Sequence, residues 1–173
     1  ERGMMKGVSP SEFRPEGTIT RGMIVTMLYR LEGEPDVEDA SHTEKKDDTK
    51  PSFTDIKADS YYAKAVAWAV ENGGVKGKSD TVFDPNAPVT REQTAAILCR
   101  YAAYKGYDVD AKAELEKYDD ADKISEYARD AFSWANANGL ITGVTADTLV
   151  PSGSTTRAQT AAIFMRFCEK IAK

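Results

Sequence analysis

A stretch that returns with its spacing intact constrains this chain more than any other feature. Val89-Thr90-Arg91-Glu92-Gln93-Thr94-Ala95-Ala96-Ile97 comes back as Thr155-Thr156-Arg157-Ala158-Gln159-Thr160-Ala161-Ala162-Ile163, and in degraded form as Ile19-Thr20-Arg21-Gly22-Met23-Ile24-Val25. The two full copies stand 66 residues apart (157 − 91). Each copy predicts a helix start. Thr90 and Thr156 are N-cap residues, and Gln93 and Gln159 three positions later complete capping boxes. Thr20 keeps the cap, but Met23 removes the box. Each cap is followed by an arginine, where the helix dipole by itself favours an acid.

The repetition extends well beyond the motif. Gly7, Gly77 and Gly143 each lie fourteen residues before their arginine, and Phe13, Phe83 and Leu149 each lie eight before. Arg30, Arg100 and Arg166 each lie nine after. Trp68 and Trp134 precede their glycine by nine residues, and Tyr61 and Tyr127 precede the tryptophan by seven. Phe53-Thr54-Asp55 matches Tyr118-Asp119-Asp120 after one single-residue shift. Residues 1–35 therefore read as the second half of repeat 1, 36–52 as a charged linker, 53–106 as repeat 2, 107–117 as a connector and 118–173 as repeat 3. Glu1 to Gly7 aligns on Glu71 to Gly77, so the chain begins where the first helix of a repeat should end, and a truncated fragment is the simplest explanation.

Hydrophobic spacing and breakers predict helices over 20–32, 60–72, 91–104, Glu126–Asn138 and from Arg157 to near the C-terminus. Gly73 is expected at a helix C′ position, and Ala111–Lys117 carries helical tendency. Tyr61, Ala65, Trp68 and Ala69 share a helical face. The expected fold class is all-α, in helix–loop–helix units. Such units are too small to bury a core alone, so they pack on one another, stacked in line or closed with pseudo-threefold symmetry.

The totals narrow the function. A net charge of −5 over 173 residues, with no basic stripe, argues against nucleic acid and requires local cations for any anionic ligand. No run approaches the roughly 20 apolar residues of a membrane span. No signal-peptide pattern is visible, which says little for a chain that begins inside a repeat. His42 is the only histidine and lies in the polar linker, which argues against a histidine metal site or a nucleophile–base pair. The aspartates do not form an EF-hand loop. No metal or cofactor is expected. Cys99 and Cys168 read as small buried hydrophobes, although a disulfide stays open on sequence grounds. No carboxylate pair stands outside the repeat pattern, which argues against an enzyme.

The ordered pieces Phe53-Thr54-Asp55-Ile56, Tyr61…Ala65-Val66…Trp68-Ala69, Asn72-Gly73, Gly77, Phe83-Asp84-Pro85 and Val89-Thr90-Arg91-Glu92-Gln93 resemble the S-layer homology (SLH) family. The family motif reads Thr-Arg-Ala-Glu, whereas its last position here is Met23, Gln93 or Gln159. The resemblance implies three repeats in a three-pronged helical module with pseudo-threefold symmetry. It also implies grooves between repeats that bind a secondary cell-wall polymer without covalent linkage, often through pyruvylated amino sugars. The implied place is extracellular, in the cell wall or S-layer of a Gram-positive-type bacterium, as the anchor of a larger surface protein. A protein–protein or self-assembly module of a surface layer is the alternative.

Each candidate ligand residue has a structural reading beside its functional one. Arg21, Arg91 and Arg157 offer guanidinium forks for a carboxylate or phosphate, next to free helix N–H groups that could hold the same anion. The structural reading pairs them with local acids such as Asp84. Thr20, Thr90 and Thr156 cap their helices and offer hydroxyl contacts. Gly7, Gly77 and Gly143 read first as positive-φ turn residues, and second as places of close ligand approach. Asp55 and Asp120 read as loop braces ahead of sugar-hydroxyl acceptors. Trp68 and Trp134 read as core residues ahead of sugar-stacking platforms.

Overall fold

The structure, a computed structural model, describes residues 3–37, 53–72 and 75–172. Gly73 and nearly all of the charged linker lie outside the described residues. The chain forms two compact units, one of Glu1–Arg14 with Thr20–Ala87 and the other of Pro15–Ile19 with Pro88–Lys173. Among the described residues five α-helices carry the fold: α1 (Arg21–Leu31), α2 (Ala63–Glu71), α3 (Arg91–Tyr104), α4 (Glu126–Ala137) and α5 (Arg157–Lys170). A 3-10 turn, Ala121–Lys123, precedes α4. Among the described residues the only β-type pairings are isolated bridges.

The helices start where the caps predict. Thr90 and Thr156 accept from the Gln93 and Gln159 N–H groups, and both glutamines return the bond to the cap's own N–H. Thr20 accepts from the Met23 N–H and has no reciprocal partner. Gly33, Gly106 and Gly139 follow the ends of α1, α3 and α4 with φ of 81°, 71° and 63°, the left-handed C′ conformation that glycine adopts without a Cβ clash.

In the first unit α1 packs on α2. Gly22 lies against the Tyr62 ring, and Tyr29 meets Trp68 with ring centroids 5.9 Å apart. Starts meet starts and ends meet ends, so the two helices run parallel. Ile24, Val25, Leu28, Val66, Trp68 and Phe83 are buried with them. Burying each side chain of this size contributes about 1.5–3 kcal/mol.

In the second unit α3 packs on α4 in the same sense. The small residues Ala95, Ala96 and Ala102 are buried on α3, with Ala128, Phe132, Trp134 and Ala135 buried on α4. Tyr101 stacks at a tilt on Phe167 of α5, centroids 5.7 Å apart. The partners come from successive repeats: α2 sits on the second helix of repeat 1, and α4 on the second helix of repeat 2.

A closed ring of backbone hydrogen bonds lies inside the second unit. Ile19 N–H donates to the Thr155 carbonyl, Thr155 N–H to Val89, and Val89 N–H to Ile19, each at 3.0 Å. These are the residues two before each motif arginine, and all three are buried. The ring satisfies one donor and one acceptor on each, as buried backbone requires. The Thr155 hydroxyl is answered by that of Thr94 at 3.2 Å.

Two expectations are corrected. The connector 107–117 is not helical, despite its helical tendency, and ends in a turn at 116–117. It is held along α4, where Ser133 Oγ donates to the Ala113 carbonyl and accepts from its N–H, and Trp134 Nε1 donates to the Asp108 carbonyl. These tertiary bonds outweigh a weak local propensity. Tyr61 and Tyr127 do not share the buried face of the tryptophans, being 60% and 54% exposed. Tyr61 precedes the first residue of α2, so helical periodicity does not reach it. Tyr127 lies in the first turn of α4, at the edge of the core, with its hydroxyl 3.4 Å from the Glu92 carboxylate.

Candidate functional site

Each motif arginine is buried at the start of its helix. Arg21 Nε donates to the Phe83 carbonyl at 2.7 Å and Nη2 to the Lys76 carbonyl at 2.8 Å, with the guanidinium 4.7 Å from the centre of the Phe83 ring. Arg91 repeats the pattern: Nε donates to Leu149 at 2.7 Å and Nη2 to Thr142. Arg157 is buried at the same position of α5.

The helix N-termini are engaged as well. Arg21 and Gly22 N–H donate to the Ala87 and Pro85 carbonyls, Arg91 and Glu92 to Gly153 and Pro151, and Arg157 and Ala158 to Gly17 and Pro15. The next N–H in each first turn goes to the capping threonine. The sequence-based picture of open helix N–H groups beside the arginine is therefore corrected: loop carbonyls occupy them. This explains the arginine's position. Carbonyl oxygens converge on the helix start and supply the negative ends that both the dipole and the guanidinium require. Burial pushes the Arg91 guanidinium below the ordinary arginine value, and the nearby Asp120 carboxylate pulls it back up. It stays charged at any physiological pH.

The loop gripped by the arginine is gripped from its other side by an aspartate. Asp55 accepts the N–H groups of Phe83 and Asp84 at 2.9 and 2.6 Å. Asp120 accepts those of Leu149 and Val150, both at 2.7 Å. Burial opposes charge on Asp120, but the Leu149 and Val150 N–H groups outweigh it and hold the carboxyl below the usual aspartate range. Arg14, Asp84 and Val150 occupy one repeat position, and all have positive φ (53°, 59° and 52°) immediately before a proline. For a β-branched residue such as Val150 this is a strained conformation, costing about 1–3 kcal/mol.

The glycines serve a purpose other than the one expected. Gly7, Gly77 and Gly143 are absent from the positive-φ positions, and the turn reading is corrected to close packing. A Cβ on Gly77 would lie 2.3 Å from the Phe53 ring and 2.4 Å from the Ser79 carbonyl. On Gly143 it would lie 2.3 Å from the Thr145 carbonyl and 3.0 Å from the Tyr118 ring, and on Gly7 2.6 Å from the Ser9 carbonyl. The opening aromatic of each complete repeat thus lies over its glycine. Trp68 and Trp134 are buried in the helix pairs, and the caps Thr20, Thr90 and Thr156 are half-buried.

The structure brings together Arg21 with Gly77 and Asp55 in the first unit, and Arg91 with Gly143 and Asp120 in the second. In both, the arginine comes from one repeat and the rest of the cluster from the next.

A family model for the S-layer homology domain matches residues 52–95 and 117–161, just over half of the chain. The chain belongs to the S-layer homology family. It is 32% identical over 99% of its length to the surface-layer 125 kDa protein of Lysinibacillus sphaericus, covering 13% of that protein. It is 31% identical over 99% to an endoglucanase of a Bacillus strain, covering 17% of it. It is 25% identical over 96% to a cellulosome-anchoring protein of Acetivibrio thermocellus, covering 35% of it. The chain spans a small part of each of these relatives. Several of the relatives carry surface-layer or cell-surface names, and the place of this module is the bacterial cell wall or surface layer.

The alignment of repeats hid one residue of this SLH module. Glu92 is buried, and its carboxylate accepts from Ser125 N–H and Ser125 Oγ, both at 3.0 Å, bracing the start of α4 from α3. The same repeat position holds Gly22 and Ala158, so recurrence gave no signal. The only cue was an acid in the first helical turn.

Proposed function

We propose that this SLH module anchors a larger surface protein to the cell wall by binding an anionic secondary cell-wall polymer, pyruvylated on its amino sugars, without itself catalysing a reaction. The repeats act as three related sites in a pseudo-threefold arrangement, with the boundaries 1–35, 53–106 and 118–173. Arg21, Arg91 and Arg157 supply the positive charge and hold the loops on which the glycan rests. Thr20, Thr90, Thr156 and the chain around Gly7, Gly77 and Gly143 line them. Asp55 and Asp120 act through those loops, and Trp68 and Trp134 through the helix pairs.

One observation carries the reading: the arginine–loop–aspartate clamp is built at least twice with the same geometry, at Phe83 and at Leu149. Recurrent sites suit a ligand that itself repeats, because simultaneous engagement turns weak single contacts into strong retention. Relatives with enzyme and non-enzyme names share this stretch, which supports a role common to both.

The deciding experiment is a binding titration of the chain with pyruvylated and depyruvylated polymer. Binding is expected to drop sharply on depyruvylation and with added salt. In parallel, wall sacculi stripped of polymer are expected to lose the protein. Equal retention by stripped sacculi would overturn polymer anchoring and leave surface-layer self-assembly as the reading.

A further inference from the structure

The two clamps differ in the side chains that stand beside them. In the first unit Arg21 grips the carbonyls of Lys76 and Phe83, and in the second Arg91 grips those of Thr142 and Leu149. The loops between these carbonyls share one plan. Lys78 N–H donates to the Val82 carbonyl and Val144 N–H to that of Thr148, both at 2.8 Å. Asp84 and Val150, which directly follow the gripped Phe83 and Leu149, both hold a positive φ. In the first unit Lys78 and Asp84 meet across the loop as an ion pair. In the second unit the same repeat positions are Val144 and Val150, 53% and 39% exposed. A single exposed valine needs no explanation. Here two stand where the other loop places opposite charges, and Val150 keeps a backbone conformation that valine tolerates poorly. Strain retained at an exposed apolar residue points to a use for that residue.

We propose that these pairs make the two clamps unequal: the second unit's clamp is the primary seat of the pyruvyl group, and Val144 and Val150 are the residues that select it. The inference rests on the polymer reading above. A pyruvyl ketal carries a carboxylate and a methyl group on one carbon. Its carboxylate is drawn by the positive field of the clamp arginine, which both units supply. Its methyl group needs an apolar surface beside that charge, and the valine pair offers one. In the first unit Asp84 presents a like charge to the carboxylate, and the ion pair engages the Lys78 ammonium that could otherwise answer it. Like charges a few ångströms apart at a protein surface repel strongly enough to separate the two affinities by roughly tenfold.

The test titrates isotope-labelled protein with a pyruvylated N-acetylhexosamine and follows the amides of both loops. Loop 143–150 is expected to saturate at roughly tenfold lower sugar concentration than loop 77–84. An analogue whose ketal lacks the methyl group should bind loop 143–150 more weakly by roughly fourfold, the loss of one buried methyl contact. Val150→Asp should weaken binding at loop 143–150 by roughly tenfold. Its melting temperature should hold or rise, because aspartate accepts a left-handed backbone more readily than valine. A merely structural valine would not separate affinity from stability in this way. Asp84→Asn keeps a residue suited to positive φ and frees Lys78, so it should tighten binding at loop 77–84. Equal saturation of the two loops, or unchanged binding in Val150→Asp, overturns the inference and leaves the polymer reading standing. Failure of the polymer reading looks different: neither loop of the wild type shifts with the sugar or with the polymer, and both readings fall together.

Discussion

Asp120 and Arg91 hold opposite ends of one residue: the carboxylate accepts the Leu149 N–H and the guanidinium donates to the Leu149 carbonyl, both at 2.7 Å. Asp55 and Arg21 do the same to Phe83. Two opposite charges are thereby coupled through a peptide segment, and the loop is fixed at the point where it becomes strained.

Removing the acid should therefore release the loop. Asp120→Ala leaves the Leu149 and Val150 N–H groups without their acceptor and is expected to destabilise the protein by roughly 2–4 kcal/mol. Asp55→Ala should behave alike. Urea unfolding monitored by tryptophan fluorescence measures both. A cost within experimental error for either would show that water replaces the carboxylate.

The same clamp sets a pH dependence. The folded-state pKa of Asp120 is depressed, so its contribution is fully present above the unfolded value and is lost as pH falls through the folded one. Wild type and Asp120→Ala should differ most near neutrality and converge below about pH 4, near where an unfolded aspartate titrates. Melting temperatures across that range provide the check. A gap that stays constant into strong acid contradicts the assignment.

Two classes of glycine should respond differently to substitution. Gly143→Ala and Gly77→Ala force a Cβ into backbone and ring atoms and should cost about 1–3 kcal/mol, with asparagine no better. Gly106 has a φ of 71° and open space around its Cβ position, so Gly106→Asn should retain more stability than Gly106→Ala. Denaturant midpoints of the six variants, alanine and asparagine at each of the three glycines, decide the matter.

Val150 is a site for gain. It holds a left-handed conformation that asparagine tolerates, and its side chain is 39% exposed. Val150→Asn is expected to stabilise the protein by about 0.5–1 kcal/mol through relief of strain. Calorimetry should register a raised melting temperature. A lowered one would mean that the valine methyl groups contribute more packing than the strain costs.

Much of this molecule was legible in the order of its residues. The capping boxes at Thr90 and Thr156, the bare cap at Thr20 and the glycine stops all act within a few residues, where side-chain chemistry and backbone conformation are directly coupled. The repeat pattern located every equivalent position, including the aspartate braces. The helical tendency of Ala111–Lys117 was misleading because α4, tens of residues away in sequence, pairs with that segment. The glycines misled because a missing Cβ serves a positive φ and a close contact equally well, and only the neighbouring atoms distinguish the two.

The sequence by itself determined that three related arginines stand at helix starts, where the helix alone gives them no reason to be. Tertiary structure alone could decide what satisfies them. The partners of Arg91 are the carbonyls of Thr142 and Leu149, more than fifty residues ahead and in the next repeat. A carbonyl exists on every residue, so no side-chain pattern announces which ones will converge. The convergence is set by how each helix seats on its neighbour, and that is a property of packing rather than of any local run of sequence.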